Sequence, residues 1–281
     1  MKILVTGGSG YFGTVLIEKL LEDGHRVIVF DLVEPYSKEV EFLKGNLKDL
    51  STLKPILNSL DVIIHLAALG LKVCNQKPDL AVEINFLATK KLVKLANEYK
   101  IGKFIFSSTC SVYGIKRGIC TEETEPEPIN VYGLTKLASE QEILKLKEKG
   151  VILRLATLFG YSPRMRYDLL VNNYIKQAKS EGKITVHGKE LNRPFLHVED
   201  AADAFLTCLK KEVSGIFNLA SVNLRLEELA KIISDELDCK IEYSDEVTDR
   251  RSYRVSWEKA EKFLDFKPEK TIKDAIREIE V

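Results

Sequence analysis

The stretch Lys2-Ile3-Leu4-Val5-Thr6-Gly7-Gly8-Ser9-Gly10-Tyr11-Phe12-Gly13 decides the reading of this chain. Ile3–Val5 is an uninterrupted apolar run, as expected of a strand buried on both faces. The glycines after it mark a tight turn into a helix predicted over Phe12–Glu22 and closed by Gly24. Glycines at 7, 10 and 13 permit the turn itself, close approach of backbone to a pyrophosphate, and close packing of helix on strand. The first turn of that helix offers unpaired N–H groups and a positive dipole end to the phosphates. A second strand, Val27–Phe30, leads into Asp31, at the spacing of a ribose-binding carboxylate. A carboxylate there accepts hydrogen bonds from ribose hydroxyls and repels a 2′-phosphate, so the cofactor expected is NAD rather than NADP.

Outward from this unit the same alternation continues. Strands are predicted at Phe42-Leu43, Val62–Leu66, Lys103–Ser107 and Val151–Arg154, with helices over Leu80–Tyr99 and Val131–Lys147. Continuous apolar strands separated by helices predict an α/β fold with a doubly wound parallel sheet. Beyond about Gly160 the pattern is less regular. Helices are expected over Leu169–Ser180, Val198–Leu209, Leu226–Leu237, Trp257–Leu264 and Ile272–Ile279. Short strands are expected at Ile184–Val186, Ile216–Leu219 and Ile241–Tyr243. Residues 1–158 thus read as a dinucleotide-binding domain and 159–281 mainly as a smaller lobe, with returns to the main sheet at about 190–220.

The composition sets limits. The chain has 281 residues, with 42 Lys+Arg against 42 Asp+Glu. This balance argues against a general nucleic-acid binder, which needs an excess of basic residues. No apolar run approaches the ~20 residues of a membrane span. No signal peptide precedes the first strand, which predicts a cytoplasmic protein. The cysteines at 74, 110, 120, 208 and 239 form no Cys-x-x-Cys pair, so reduced, packed thiols are expected. His25, His65, His187 and His197 have no metal-ligand spacing, and no metal is predicted.

A second chemical signal is Tyr132-Gly133-Leu134-Thr135-Lys136. Tyr and Lys at i and i+4 share one helical face. A phenol titrates too high to serve as a base at neutral pH, and a neighbouring ammonium stabilises the phenolate. The preceding strand ends in Ser107-Ser108-Thr109. That places Thr109 beyond the carboxyl edge of the sheet, where ligands bind in open α/β folds. Its hydroxyl is suited to relay or orient the proton that Tyr132 takes.

These pieces occur in order with His65-Leu66-Ala67-Ala68, Val112-Tyr113-Gly114, Arg154, the run Arg193-Pro194-Phe195-Leu196-His197-Val198-Glu199-Asp200, and Phe217-Asn218-Leu219-Ala220. Together they resemble the extended short-chain dehydrogenase/reductases of the nucleotide-sugar epimerase/dehydratase group, through nearly the whole chain. The resemblance implies a Rossmann-type sheet with a smaller C-terminal substrate-binding lobe. It implies that Gly7, Gly10 and Gly13 hold the NAD pyrophosphate and Asp31 the adenine ribose, with Tyr11 and Phe12 also among the cofactor-binding residues. Asn46 and Leu47 would flank the adenine, although the family usually has Asp where Asn46 stands. Leu66, Ala67 and Ala68 would line the cofactor channel, Ser107 would also bind the cofactor, and Asn85 of the long helix would touch the cofactor or support the residues that do. Tyr132 would be the base/acid, and Lys136 would hold the nicotinamide ribose and lower the tyrosine pKa. Arg193 is similar to an arginine that meets the substrate diphosphate, while His65 and His197 read as packed structural residues.

Departures from the family pattern narrow the activity. Its 4,6-dehydratases carry Asp-Glu just after the catalytic threonine, and its decarboxylases usually place a Glu there. Here Cys110 and Ser111 occupy those positions, and neither is a carboxylic acid. Thr157 stands where the epimerases have a substrate-contacting Asn. Glu246 falls nearest the usual diphosphate arginine, leaving Arg250 or Arg251 as replacements or as surface residues. Arg164 and Arg166, near the lobe junction, are open to either reading. Asn173 is a further candidate for substrate contact. The activity expected is that of an NAD-dependent nucleoside-diphosphate-sugar epimerase, with hydride held transiently on bound NAD. The alternatives are a net reductase or dehydrogenase, and a silent dinucleotide-binding sensor. A homodimer is expected through the helices at 80–99 and 131–147, as in many relatives.

Overall fold

The computed structural model describes residues 1–281. Seven parallel strands form the central sheet. They are β1 (Lys2–Thr6), β2 (Arg26–Asp31), β3 (Glu41–Lys44), β4 (Val62–His65), β5 (Lys103–Thr109), β6 (Gly150–Leu155) and β7 (Gly215–Leu219). Their spatial order is β3-β2-β1-β4-β5-β6-β7. The order reverses between β1 and β4, which opens a crevice at their carboxyl ends.

The strands are apolar throughout because both faces are covered. On one face Ile3, Val5, Val27, Val29, Ile64 and Ile105 pack with Leu16 and Leu20 of α1 (Tyr11–Glu22) and with Phe205. Phe12 and Phe205 meet edge to face at 5.0 Å, joining α1 to the helix Val198–Lys210. On the other face Leu4, Ile28, Ile63, Phe104 and Phe106 pack with Leu92, Val93, Ala96 and Ile143. Alternating residues of one strand therefore belong to two different cores.

The predicted helix at 80–99 is present as three consecutive segments, Pro78–Ala81, Val82–Leu87 and Ala88–Glu98. The middle one is a π-helical turn, and it turns Asn85 inward to a buried position. The next predicted helix ends earlier than expected, at Leu144. Lys147 takes a left-handed φ of 54°, and Lys147–Lys149 form a separate 3₁₀ turn.

The second half returns to the central sheet at Gly215–Leu219, beside β6. The segment Asn192–His197, by contrast, pairs in parallel with Thr157–Phe159 and antiparallel with Val222–Arg225. Two further small sheets join Lys183–His187 to Lys240–Ser244 and Ile115–Cys120 to Ser252–Val255. A third core, including Phe159, Tyr174, Ile175, Phe195, Leu229 and Ile276, holds the first two of these sheets together, whereas Cys120, Tyr253 and Val255 of the last pack into the first core. No helix is long and apolar enough to cross a membrane.

Candidate active site

A cavity of about 820 Å³ lies along the carboxyl edge of the sheet, between it and the small lobe. Its floor is the glycine turn. Gly7 has φ +73°, and a Cβ on it would come within 2.6 Å of the Ala67 backbone. Gly13 packs as tightly, with a virtual Cβ 2.6 Å from the Gly7 carbonyl oxygen. Gly10 differs: its nearest neighbour is 3.4 Å away, and the residue is exposed to the cleft. Gly10 also begins α1 with no side-chain cap and no acidic residue in the first turn. The helix start is thus left with free N–H donors facing the cavity, as an anionic phosphate group requires.

Asp31, at the end of β2, is held by the Ser9 amide at 3.1 Å and the Val33 amide at 3.2 Å. Both bonds come from backbone N–H groups, so its carboxylate is fixed before any ligand arrives. The uncapped helix start, the open face of Gly10 and this carboxylate fit a dinucleotide.

The opposite wall is built from β5 and the helix Val131–Leu144. Asn130 caps that helix by accepting from the Gly133 amide at 2.8 Å, which fixes the first turn and Tyr132 with it. Lys136 follows one turn later, 2% exposed, with its ammonium 4.3 Å from the centre of the Phe106 ring. Burial pulls its pKa down to about 7, against the opposing charge of Glu140. Burial pushes the Tyr132 phenol up, while Arg251, a hydrogen bond with Thr109 and Arg166 act in the other direction. The cation acting most strongly on the phenol is Arg251, and burial outweighs it.

Arg251 reaches this wall because Ser252–Val255 pairs beside Ile115–Cys120, with Ser252 opposite Ile115. Its guanidinium bonds the Ser111 hydroxyl and grips Asp249 at 2.6–3.2 Å. Burial alone would raise the Asp249 pKa, but Arg251 and Arg193 hold it far below the carboxylate range. Ser111 in turn receives the Thr109 hydroxyl at 3.0 Å and lies 3.4 Å from the Tyr253 hydroxyl.

Of the residues expected at the site, Gly7, Gly10, Tyr11, Phe12, Gly13, Asp31, Asn46, Leu47, Leu66, Ala67, Ala68, Ser107, Thr109, Tyr132, Lys136, Thr157 and Arg251 all line the cavity. Asn85, Asn173 and Arg193 stand behind its wall. Asn85 holds the Leu69 amide and carbonyl at 2.7 and 3.0 Å. Asn173 bonds the Tyr167 carbonyl at 3.0 Å. Arg193, 4% exposed, is paired with Asp249 at 3.2 Å. Arg164 and Arg166 are both in the wall.

His65 is fully buried, and burial holds its pKa near 3. The Thr89 hydroxyl donates to the Asn85 carbonyl at 2.8 Å, so it accepts from His65 Nε2–H at 2.8 Å. His65 Nδ1 then accepts from Thr6 at 2.6 Å. This neutral ring is a structural pillar, as its place in the sequence suggests.

Sequence reasoning missed Tyr253 and Glu140. Tyr253 lies in the strand Ser252–Val255, two residues after Arg251, which stands just before that strand, so its proximity is readable only once the strand is known. Glu140 is four residues after Lys136, but nothing local marks its buried partner.

The switch-point crevice, glycine turn and ribose-side carboxylate define a Rossmann-type, dinucleotide-dependent enzyme. Residues 3–220 match the NAD dependent epimerase/dehydratase family, and the chain belongs to it. It is 31% identical to an uncharacterised UDP-glucose epimerase of Bacillus subtilis, over 98% of this chain and 96% of the relative. A UDP-glucose 4-epimerase of Lactobacillus helveticus is 30% identical over 83% of this chain and 82% of its own length. The solved UDP-glucuronic acid 4-epimerase of Bacillus cereus, in complex with UDP-glucuronic acid and NAD, superposes with a TM-score of 0.88. It is 26% identical, with 99% of this chain and 97% of that one covered.

Proposed function

We propose that this protein is an NAD-dependent nucleoside-diphosphate-sugar epimerase in which Tyr132 takes and returns a sugar hydroxyl proton. The observation that carries this reading is the meeting of Thr109, Tyr132 and Lys136 in one cleft with the glycine turn and Asp31. Cys110, where dehydratases have a carboxylic acid, turns away from the cleft and bonds the Arg154 carbonyl at 3.1 Å. Ser111, which does face the cleft, is no carboxylic acid and is engaged by Arg251.

NAD, when bound, supplies a reversible hydride acceptor at its nicotinamide. Gly7, Gly10, Tyr11, Phe12 and Gly13 hold its pyrophosphate, Asp31 its adenine ribose, and Asn46 and Leu47 its adenine. Leu66, Ala67, Ala68 and Ser107 line the channel to the reacting end, and Asn85 braces that channel through Leu69. Lys136 binds the second ribose. Tyr132 removes a hydroxyl proton from the sugar directly or through Thr109, its phenolate favoured by Arg251 and by the positive charge that bound oxidised NAD would add against the cost of burial. It returns the proton after the keto sugar has presented its other face. Arg251 meets the substrate diphosphate, with Thr157 beside the sugar. Arg193 and Asn173 act from behind, Arg193 by fixing Asp249 and hence Arg251.

The relatives named above act on uridine diphosphate sugars, which supports UDP as the nucleotide. We also assign the protein to the cytoplasm as a homodimer. Val82, Leu87, Leu134 and Leu144 are exposed apolar residues on the two helical stretches expected at the interface.

Tyr132→Phe tests the reading. The variant should copurify with NAD yet interconvert UDP-sugars at least about a hundredfold more slowly. The wild type should epimerise with no net change in NADH absorbance. An active Tyr132→Phe enzyme would overturn the mechanism.

A further inference from the structure

The hydroxyl of Tyr11 reaches beyond the cofactor loop to which the residue belongs. The side chain lies in the first turn of α1 and is 6% exposed. Its hydroxyl donates to the Gly160 carbonyl at 2.7 Å and accepts from Asn172 Nδ2 at 3.3 Å. Asn172 is fully buried and closes the ring, its Oδ1 accepting from the Gly160 amide at 3.1 Å. The same Nδ2 donates to the Arg166 carbonyl at 3.2 Å. From the other side, the Ser162 hydroxyl donates to the Tyr11 carbonyl at 2.7 Å and accepts from the Arg164 amide at 3.2 Å.

The segment so fastened, residues 160–166, leaves the strand Thr157–Phe159 and carries Arg164 and Arg166 into the cleft wall. Arg164 then crosses the groove to the Glu34 carbonyl at 3.1 Å, three residues past Asp31. The phosphate-loop helix and the arginine-bearing segment are therefore one hydrogen-bonded unit. Packing alone does not call for a phenol at position 11, since an apolar ring serves at the adjacent Phe12. Burial pushes the Tyr11 phenol well above its ordinary range, so it remains a donor at any working pH.

We propose that Tyr11 is a positioning residue that couples the cofactor groove to the placement of Arg164 and Arg166. Occupation of the groove by NAD steadies the first turn of α1, and the Tyr11 bonds pass that order to the substrate side. By linkage, a bound nucleotide substrate holds NAD in return. This inference rests on the reading of the cleft as a sugar-nucleotide site.

Calorimetric titration with UDP of full-length protein, first stripped of copurified NAD and then resaturated with it, measures the coupling. Wild type should bind UDP about tenfold more tightly when NAD is present. Tyr11→Phe keeps the ring but leaves the Gly160 carbonyl without its donor, and the two UDP affinities should converge to within about twofold. Ser162→Ala, which cuts the second tie and leaves the phenol intact, should also shrink the ratio. Full wild-type coupling in either variant overturns the proposal, as does equal UDP affinity with and without NAD in the wild type. Absence of any UDP binding by NAD-loaded wild type overturns the sugar-nucleotide reading itself, and the coupling with it.

Discussion

Arg154 and Glu140 hold each other in a two-pronged ion pair beneath the strand end that carries Thr109. Arg154 Nε and Nη2 donate to the two carboxylate oxygens at 3.0 and 2.7 Å, with the side chains 2% and 0% exposed. The Ser108 hydroxyl donates to the same carboxylate, and Arg154 also donates to the Tyr113 hydroxyl at 2.9 Å. The Tyr113 hydroxyl in turn donates to the Asn218 side-chain carbonyl at 2.8 Å, so the chain of bonds ties β5, β6 and β7 together. Glu140→Gln leaves a buried guanidinium without its counter-charge. Breaking such a pair costs about 3–5 kcal/mol, or roughly 10 °C in Tm for a chain of this size. Scanning calorimetry checks this, and a Tm within about 2 °C of wild type would remove the pair from the list of stabilising interactions.

Gly10 and Gly13 lie three residues apart and should fail in different ways. A Cβ at Gly13 meets the Gly7 and Gly8 backbone at 2.6 Å, where no side chain can move aside. A Cβ at Gly10 points into the cleft, with only the Gly7 carbonyl oxygen at 3.4 Å. Gly10→Ala should keep the wild-type Tm and weaken NAD binding by about tenfold or more, because the methyl occupies the place of closest phosphate approach. Gly13→Ala should lower both. Thermal melts beside NAD titrations separate the two, and a Gly10→Ala protein with wild-type NAD affinity would place the pyrophosphate elsewhere.

What the sequence makes legible follows from how each element is stabilised. Strands such as Ile3–Val5 and Val62–Ile64 are buried on both faces, and their apolar runs announce it. The strand Val222–Arg225 is only half-buried, and Ile115–Cys120 is mostly exposed with a glycine inside, so neither carries a readable period. Such strands exist because of their partners: Ser252 lies opposite Ile115 through a long-range pairing that no local window contains. The site divides on the same ground. Gly7, Asp31, Tyr132 and Lys136 depend on local geometry within a single strand–turn–helix or helix turn. Arg251, left open between surface and substrate, is brought to Ser111 only by that distant pairing, and Asp249 then fixes its direction. The Tyr132 pKa was the least legible quantity, because it depends on the burial that the whole cleft imposes and on two arginines from the second half of the chain.

Lys136 offers a test of the electrostatics that is independent of turnover. Burial takes its pKa from 10.5 to about 7 in the folded protein, whereas the unfolded chain keeps the ordinary value. Between those two values the unfolded state binds the proton and the folded state does not. The unfolding free energy contributed by this group therefore rises with pH through the window and is lowest below pH 7. Lys136→Met removes the buried charge and the slope together. In NAD-free protein the variant should melt roughly 5–10 °C above wild type at pH 6, and the gap should narrow steadily from pH 7 to pH 9. A gap that stays constant with pH would mean that Lys136 titrates at its ordinary value inside the cleft. The Glu140 carboxylate would then be offsetting the burial in full.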